Sequence, residues 1–135
     1  MNNEQILKIA HEGMKVAREY FVISPVWDIE LATEKLTGNA AMRSWVTEGY
    51  WKAYIAIDTD AHKTPAQVWR NIGHEIAHIA AHPIMTFEKV LRAGGKLSGE
   101  TEELYVTCLE QTIAVMERMW VRDRPYHDVG VDGLE

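Results

Sequence analysis

A chain of 135 residues with a formal net charge of −6 and a single cysteine suits one domain built around one core, spanning 1–135. The negative balance, with no run of Lys or Arg, argues against a nucleic-acid or anionic-membrane partner, because both need concentrated positive charge. One cysteine excludes an intrachain disulfide. Neither a secretory leader nor a run of about 18 apolar residues is visible, so a cytoplasmic, non-membrane protein is the expectation.

In chain order, Asn2 or Asn3 caps a first helix whose apolar face is Ile6, Ile9, Ala10, Met14, Ala17 and Tyr20 or Phe21, ending near Ile23. Ser24-Pro25 breaks it, and Trp27, Ile29 and Leu31 then alternate with Asp28 and Glu30 as in a half-buried strand. Met42 to Glu48 forms a second strand and Gly49 a bend. In a third strand Trp51, Ala53, Ile55 and Ile57 alternate with polar neighbours. Taken as successive neighbours, the three make an antiparallel sheet.

Thr64, Pro65 and Gln67 provide an N-cap, a proline at the first helical position and a capping-box partner, so a helix starts at Pro65. Pro83 allows a break, and a brief helix over Thr86 to Ala93 stops at Gly94-Gly95. Ser98 or Thr101 caps a long last helix with Glu100, Glu102 and Glu103 at its positive end. Its core stripe is Leu104, Leu109, Ile113, Met116 and Trp120, with Cys108 expected as a small buried hydrophobe. The tail over 122–135 is expected to be irregular. The fold class is therefore α+β.

The helix from Pro65 carries His74-Glu75-Ile76-Ala77-His78, an HExxH motif. Two histidines four residues apart share one helix face, with backbones about 6 Å apart, and can grip one tetrahedral ion. Glu75 sits about 100° around the helix, at the rim, where a carboxylate can act as general base without ligating. Val68, Ile72, Ile76 and Ile79 form the buried stripe, leaving both histidines toward a cleft or solvent. Gly73, Ala77 and Ala81 leave a groove for a second helix. A surface helix with two solvated histidines would show the same pentapeptide; the cap, the groove and Glu75 together favour a metal.

A catalytic zinc site takes three protein ligands and a water, so one more donor is needed. His82 lies about 12 Å along the helix from His74, too far to share an ion. The metzincin extension is absent, since positions 81 and 84 hold Ala81 and Ile84. On the last helix Glu103, Glu110 and Glu117 share a face. Glu110, flanked there by Val106, Ile113 and Ala114, is the preferred ligand because burying it unpaired would be costly. Glu103 reads as a solvated acid of the first turn and Glu117 as a partner of Arg118, Arg122 or solvent, while Glu103 and His127 are the alternatives to Glu110. Tyr105, Tyr126 and His127 could stabilise an oxyanion by chemistry alone; none is assignable.

With HEIAH and the glutamate helix in hand, the chain resembles small gluzincin-type metallopeptidase domains, and among them phage-encoded minimal versions, over roughly Val26 to Met119. The resemblance implies a zincin-like fold, one zinc per chain held by His74, His78 and Glu110, and a peptide or protein substrate. It also implies that the strand before the motif helix, Tyr50 to Asp58, forms the sheet edge beside the cleft, where a peptide could add near Trp51 to Ile57. The Glu-x-x-x-Asp of thermolysin-like relatives is missing, because Ala114 follows Glu110. Hydrolysis of peptide bonds through a zinc-bound water activated by Glu75 is the expected activity. A non-catalytic binding or regulatory protein on the same fold is the alternative, and the sequence sets no oligomeric state.

Overall fold

The computed structural model describes residues 1–47, 50–95 and 98–127. Helix α1 covers Asn3–Tyr20, strands β1, β2 and β3 cover Asp28–Thr33, Met42–Thr47 and Lys52–Ile57, and helices α2, α3 and α4 cover Pro65–Ala80, His82–Ala93 and Gly99–Asp123. A 3-10 turn over Thr59–Ala61 joins β3 to α2. The fold is α+β, as expected from the sequence. The Asn2 side chain accepts from the Gln5 amide and the Gln5 side chain accepts from the Asn2 amide, which fixes the start of α1 at the first of the two candidate caps. The helix ends at Tyr20, three residues short of Ile23. Met14 packs partly buried against the core as expected, and Gly13 beside it is buried where a Cβ would collide with Ile72 of α2.

The sheet is mixed, which corrects the all-antiparallel expectation. Its order is β1-β3-β2, with β1 parallel and β2 antiparallel to β3. The reason lies in β3. Ala53, Ile55, Ala56 and Ile57 are all inaccessible to solvent, as a strand covered on both faces and paired on both edges requires. β1 and β2 expose alternate residues and take the outer places. Residues 34–41 carry the chain past the end of β3. They are held there by the Glu34 amide on the Ile57 carbonyl at 3.0 Å, the Leu36 amide on the Asp58 carboxylate at 3.1 Å, and the Asp58 amide on the Ala41 carbonyl at 3.0 Å. The proposed free edge at Trp51–Ile57 therefore does not exist, and the outer edges belong to β1 and β2. Glu48 and Gly49, the expected end of the second strand and its bend, lie outside the described residues, as does the tail beyond His127.

Ile6, Ile9, Ile29, Ile55, Ile57, Val68, Ile72, Ile76 and Ile79 make one core between α1, α2 and the inner face of the sheet. All four members of the α2 stripe are buried as the periodicity requires. Thr64 caps α2 by accepting from the Gln67 amide, but Gln67 reaches back one residue further than a capping box, taking the Lys63 amide at 3.0 Å and giving to the Ala61 carbonyl. The small-residue groove receives α4. Trp120 is fully buried, stacks on Trp69 at 5.3 Å and 17°, and donates to the Trp69 carbonyl at 3.0 Å, while a Cβ on Gly73 would overlap its indole. Further along, Ile113 packs on Ala77 and Ala81.

The first half of α4 departs from its expected stripe. Leu104 is 63% exposed and Val106 49%, and Cys108 is exposed rather than buried. Leu109, Ile113 and Met116 pack around Ala77 and Ala81 of α2 and Trp120 against Gly73, so among the stripe residues the departure is confined to Leu104. α4 continues to Asp123, and the Trp69 indole pins the chain just beyond by donating to the Arg124 carbonyl at 2.7 Å.

Candidate metal centre

His74 and His78 stand on the flank of α2 away from the core, both part-buried, and their Nε2 atoms approach to 3.1 Å. Two nitrogens bound at 2.0–2.1 Å to a tetrahedral ion are separated by about 3.3 Å. The pair is thus arranged as a two-histidine grip requires, with the stripe Val68, Ile72, Ile76 and Ile79 fixing the roll of the helix that presents it. Burial and the neighbouring His74 ring hold the His78 pKa below its ordinary value, which keeps the imidazole neutral and able to donate a lone pair.

Glu75 lies between the histidines and the sheet and is only 6% exposed. The Ser44 hydroxyl donates to its Oε1 at 3.2 Å. Burial raises the Glu75 pKa to about 7; bonding from Ser44 and the charge of Arg43 oppose the rise, and Glu110 adds to it. The carboxylate therefore sits near half-ionisation at neutral pH, the range that suits a general base. A cleft of about 470 Å³ opens beside it, bordered by Met42, Ser44 and Val46 of β2, Glu75 and His78 of α2, and His82. Arg43 and Trp45, whose side chains alternate to the other face, border it too, so the cleft runs along the free edge of β2. A second depression, also reaching Glu75, is lined by Asn71, His74 and Glu117.

The sequence-derived residues are brought together unequally. His74, Glu75 and His78 share one site. Glu110 is exposed, and its charge acts on both Glu75 and His78, so it flanks the site without being sealed into it. The burial argument for Glu110 fails at Val106, which is itself half exposed. Among the described residues no three His, Cys, Asp or Glu side chains are placed to hold one ion. Glu103 is exposed beside Glu102, Val106 and Thr107. His127 is exposed at the end of the described tail. Tyr105 faces Glu88 and Arg92 of α3, and Tyr126 packs on Trp69, so neither borders the cleft. His82 opens α3 instead of continuing α2, and its ring packs edge-on against Trp27 at 5.8 Å.

Two residues at the site escaped the reading of the sequence. Ser44 lies between Met42 and Val46 on the inward face of β2, and a polar residue in that alternation was a signal available from the sequence. Glu117, read as a partner of Arg118, Arg122 or solvent, approaches His74 Nδ1 with its Oε1 at 3.4 Å, while Arg122 bonds to Asp123. His62 is buried for a structural reason, with Nδ1 on the Asp58 carbonyl at 2.9 Å and Nε2 on the Asn71 amide at 3.1 Å.

Comparison with protein-family models, curated proteins and solved structures returns no match for this chain. The residues of the site therefore carry the functional reading by themselves. No described helix is long and apolar enough to cross a membrane.

Proposed function

We propose that the protein is a zinc-dependent metallopeptidase of gluzincin type, acting on a peptide or protein substrate. The observation that carries this reading is the convergence of the two Nε2 atoms at 3.1 Å beside a buried glutamate of raised pKa at the mouth of a cleft. The donors fit the ion: two imidazoles of which one is held neutral, and an acidic helix face alongside. His74 and His78 would hold zinc, with Glu110 brought in from α4 as the third ligand. Bound zinc would supply a Lewis acid that polarises a carbonyl and acidifies water. Glu75 would take a proton from the attacking water and hand it to the leaving amide nitrogen, a role its place beside the histidines at the cleft allows. The free edge of β2 can align an extended peptide by strand addition, passing its backbone across Glu75 and His78.

Metal content combined with a peptide-library assay tests the reading. Wild type should carry about one zinc per chain. Glu75→Gln should retain the metal and lose hydrolysis by at least about 100-fold, the scale of general-base contributions. Equal metal content in wild type and His74→Ala would overturn the proposal. One observation favours the alternative, a non-catalytic protein that binds through the same cleft: Glu110 is exposed and no third donor is assembled. Metal retention without cleavage of any library peptide would decide for that alternative.

A further inference from the structure

The unbonded ring nitrogen of His74 points to a role for Glu117. His74 Nδ1 is buried and has no hydrogen bond, while its Nε2 is turned to His78. A histidine that ligates through Nε2 carries its proton on Nδ1, and a buried N–H without an acceptor costs about 1–3 kcal/mol. Two of the polar side chains that line the depression beside His74 are committed elsewhere. Asn71 is bonded to His62, and Gln67 serves the Lys63 amide and the Ala61 carbonyl. Glu117 is not: its Oε1 stands 3.4 Å from Nδ1, within ion-pair reach and slightly longer than an ordinary N–H···O bond, and the side chain is 28% exposed. The geometry also separates Glu117 from the ligands, since it meets the ring on the nitrogen that faces away from His78 Nε2.

We infer that Glu117 is the positioning residue of the metal site: its carboxylate accepts from His74 Nδ1–H, fixes the tautomer that leaves Nε2 free, and holds the ring against rotation. The inference rests on the metal reading above. It assigns to α4 two carboxylates seven residues apart with different duties, Glu110 toward the ion and Glu117 toward the histidine. The lock also explains why α4 must be seated firmly, since Trp120, three residues beyond Glu117, anchors this part of the helix to α2.

The test is competition titration of zinc into full-length wild type, His74→Ala, Glu110→Gln and Glu117→Gln, with cobalt(II) absorption as a second readout. Glu117→Gln should weaken zinc by about 10- to 100-fold, leave the cobalt spectrum in shape and intensity as in wild type, and leave the melting temperature of the chelated protein unchanged. Long-range proton–nitrogen spectra of the zinc-loaded wild type should show His74 protonated at Nδ1, with that proton's shift moved in Glu117→Gln. Zinc affinity equal to wild type in Glu117→Gln, while His74→Ala loses the metal, overturns the role of Glu117 and leaves the metal site standing. A changed cobalt spectrum overturns it differently, making Glu117 a ligand. If wild type and His74→Ala bind zinc equally, the metal reading and this inference fail together. Should Glu117→Gln fold poorly, Glu117→Asp, which keeps the charge but shortens the arm, must fall between it and wild type in affinity, and an affinity no better than that of Glu117→Gln counts against the inference.

Discussion

Burial of the Glu75 carboxylate between α2 and β2 couples its protonation to folding in the metal-free protein. Its pKa in the fold is about 7 against 4.5 for the free side chain. Between those values the native state binds more protons than the unfolded chain, so stability falls as pH rises. The contribution is fully present below about pH 4.5 and is lost as pH passes through 7. At about 1.4 kcal/mol per unit, the swing is on the order of 3 kcal/mol. Urea unfolding of chelated wild type and chelated Glu75→Gln across this window should show the glutamine variant gaining on wild type as pH rises. Parallel stability profiles would mean that Glu75 is not buried as described. A cation held by the histidines favours the ionised form and should flatten the same slope.

At the level of elements, the site depends on how α4 seats on α2. Trp120 fills the space left by Gly73, and its indole N–H satisfies the Trp69 carbonyl. Trp120→Ala should cost about 3–5 kcal/mol, as for other buried large aromatics, and lower Tm by on the order of 10 °C. Gly73→Ala should cost about 1–3 kcal/mol or more, because the added methyl meets a packed ring with no room to move. Thermal denaturation of the chelated variants reads both. A Gly73→Ala protein melting with wild type would show that α4 stands further from α2. Both substitutions should also weaken zinc binding, since each displaces the helix that carries Glu110 and Glu117, and a metal titration of the folded fraction checks this.

For the molecule as a whole, the proposed metal site, with donors from α2 and α4, would exist only when the two helices are docked. Zinc should therefore stabilise the fold by mass action, about 2.7 kcal/mol at a free concentration one hundred times Kd. The expected observation is a Tm that rises with zinc and falls on chelation in wild type, with His74→Ala insensitive to both. A wild-type Tm indifferent to zinc would place the metal, if any, outside the folded interface.

Much of this was legible along the chain because it is local. Thr64-Pro65 starts α2 by capping chemistry, the spacing of Val68, Ile72, Ile76 and Ile79 sets its roll, and those two facts by themselves direct His74 and His78 to one uncovered flank. Gly73, Ala77 and Ala81 announced a close helix for the same reason, since small side chains on one face have one packing consequence. What the sequence could not determine is which distant element fills a place once local periodicity has created it. Alternation marks β3 as a strand, but its position between β1 and β2 follows from the path of residues 34–41 and from the burial of Ala56 on the second face. The heptad of Glu103, Glu110 and Glu117 puts three acids on one face without saying which lies level with the histidines. Antiparallel docking of α4, set by Trp120 in the Gly73 groove, brings Glu117 to His74, leaves Glu110 at the exposed flank of His78 and carries Glu103 away. The helix face that presents His74, Glu75 and His78 was thus written in the local pattern, whereas the partners of each side chain were decided by tertiary packing, because contact between residues far apart in sequence depends on how whole elements fit.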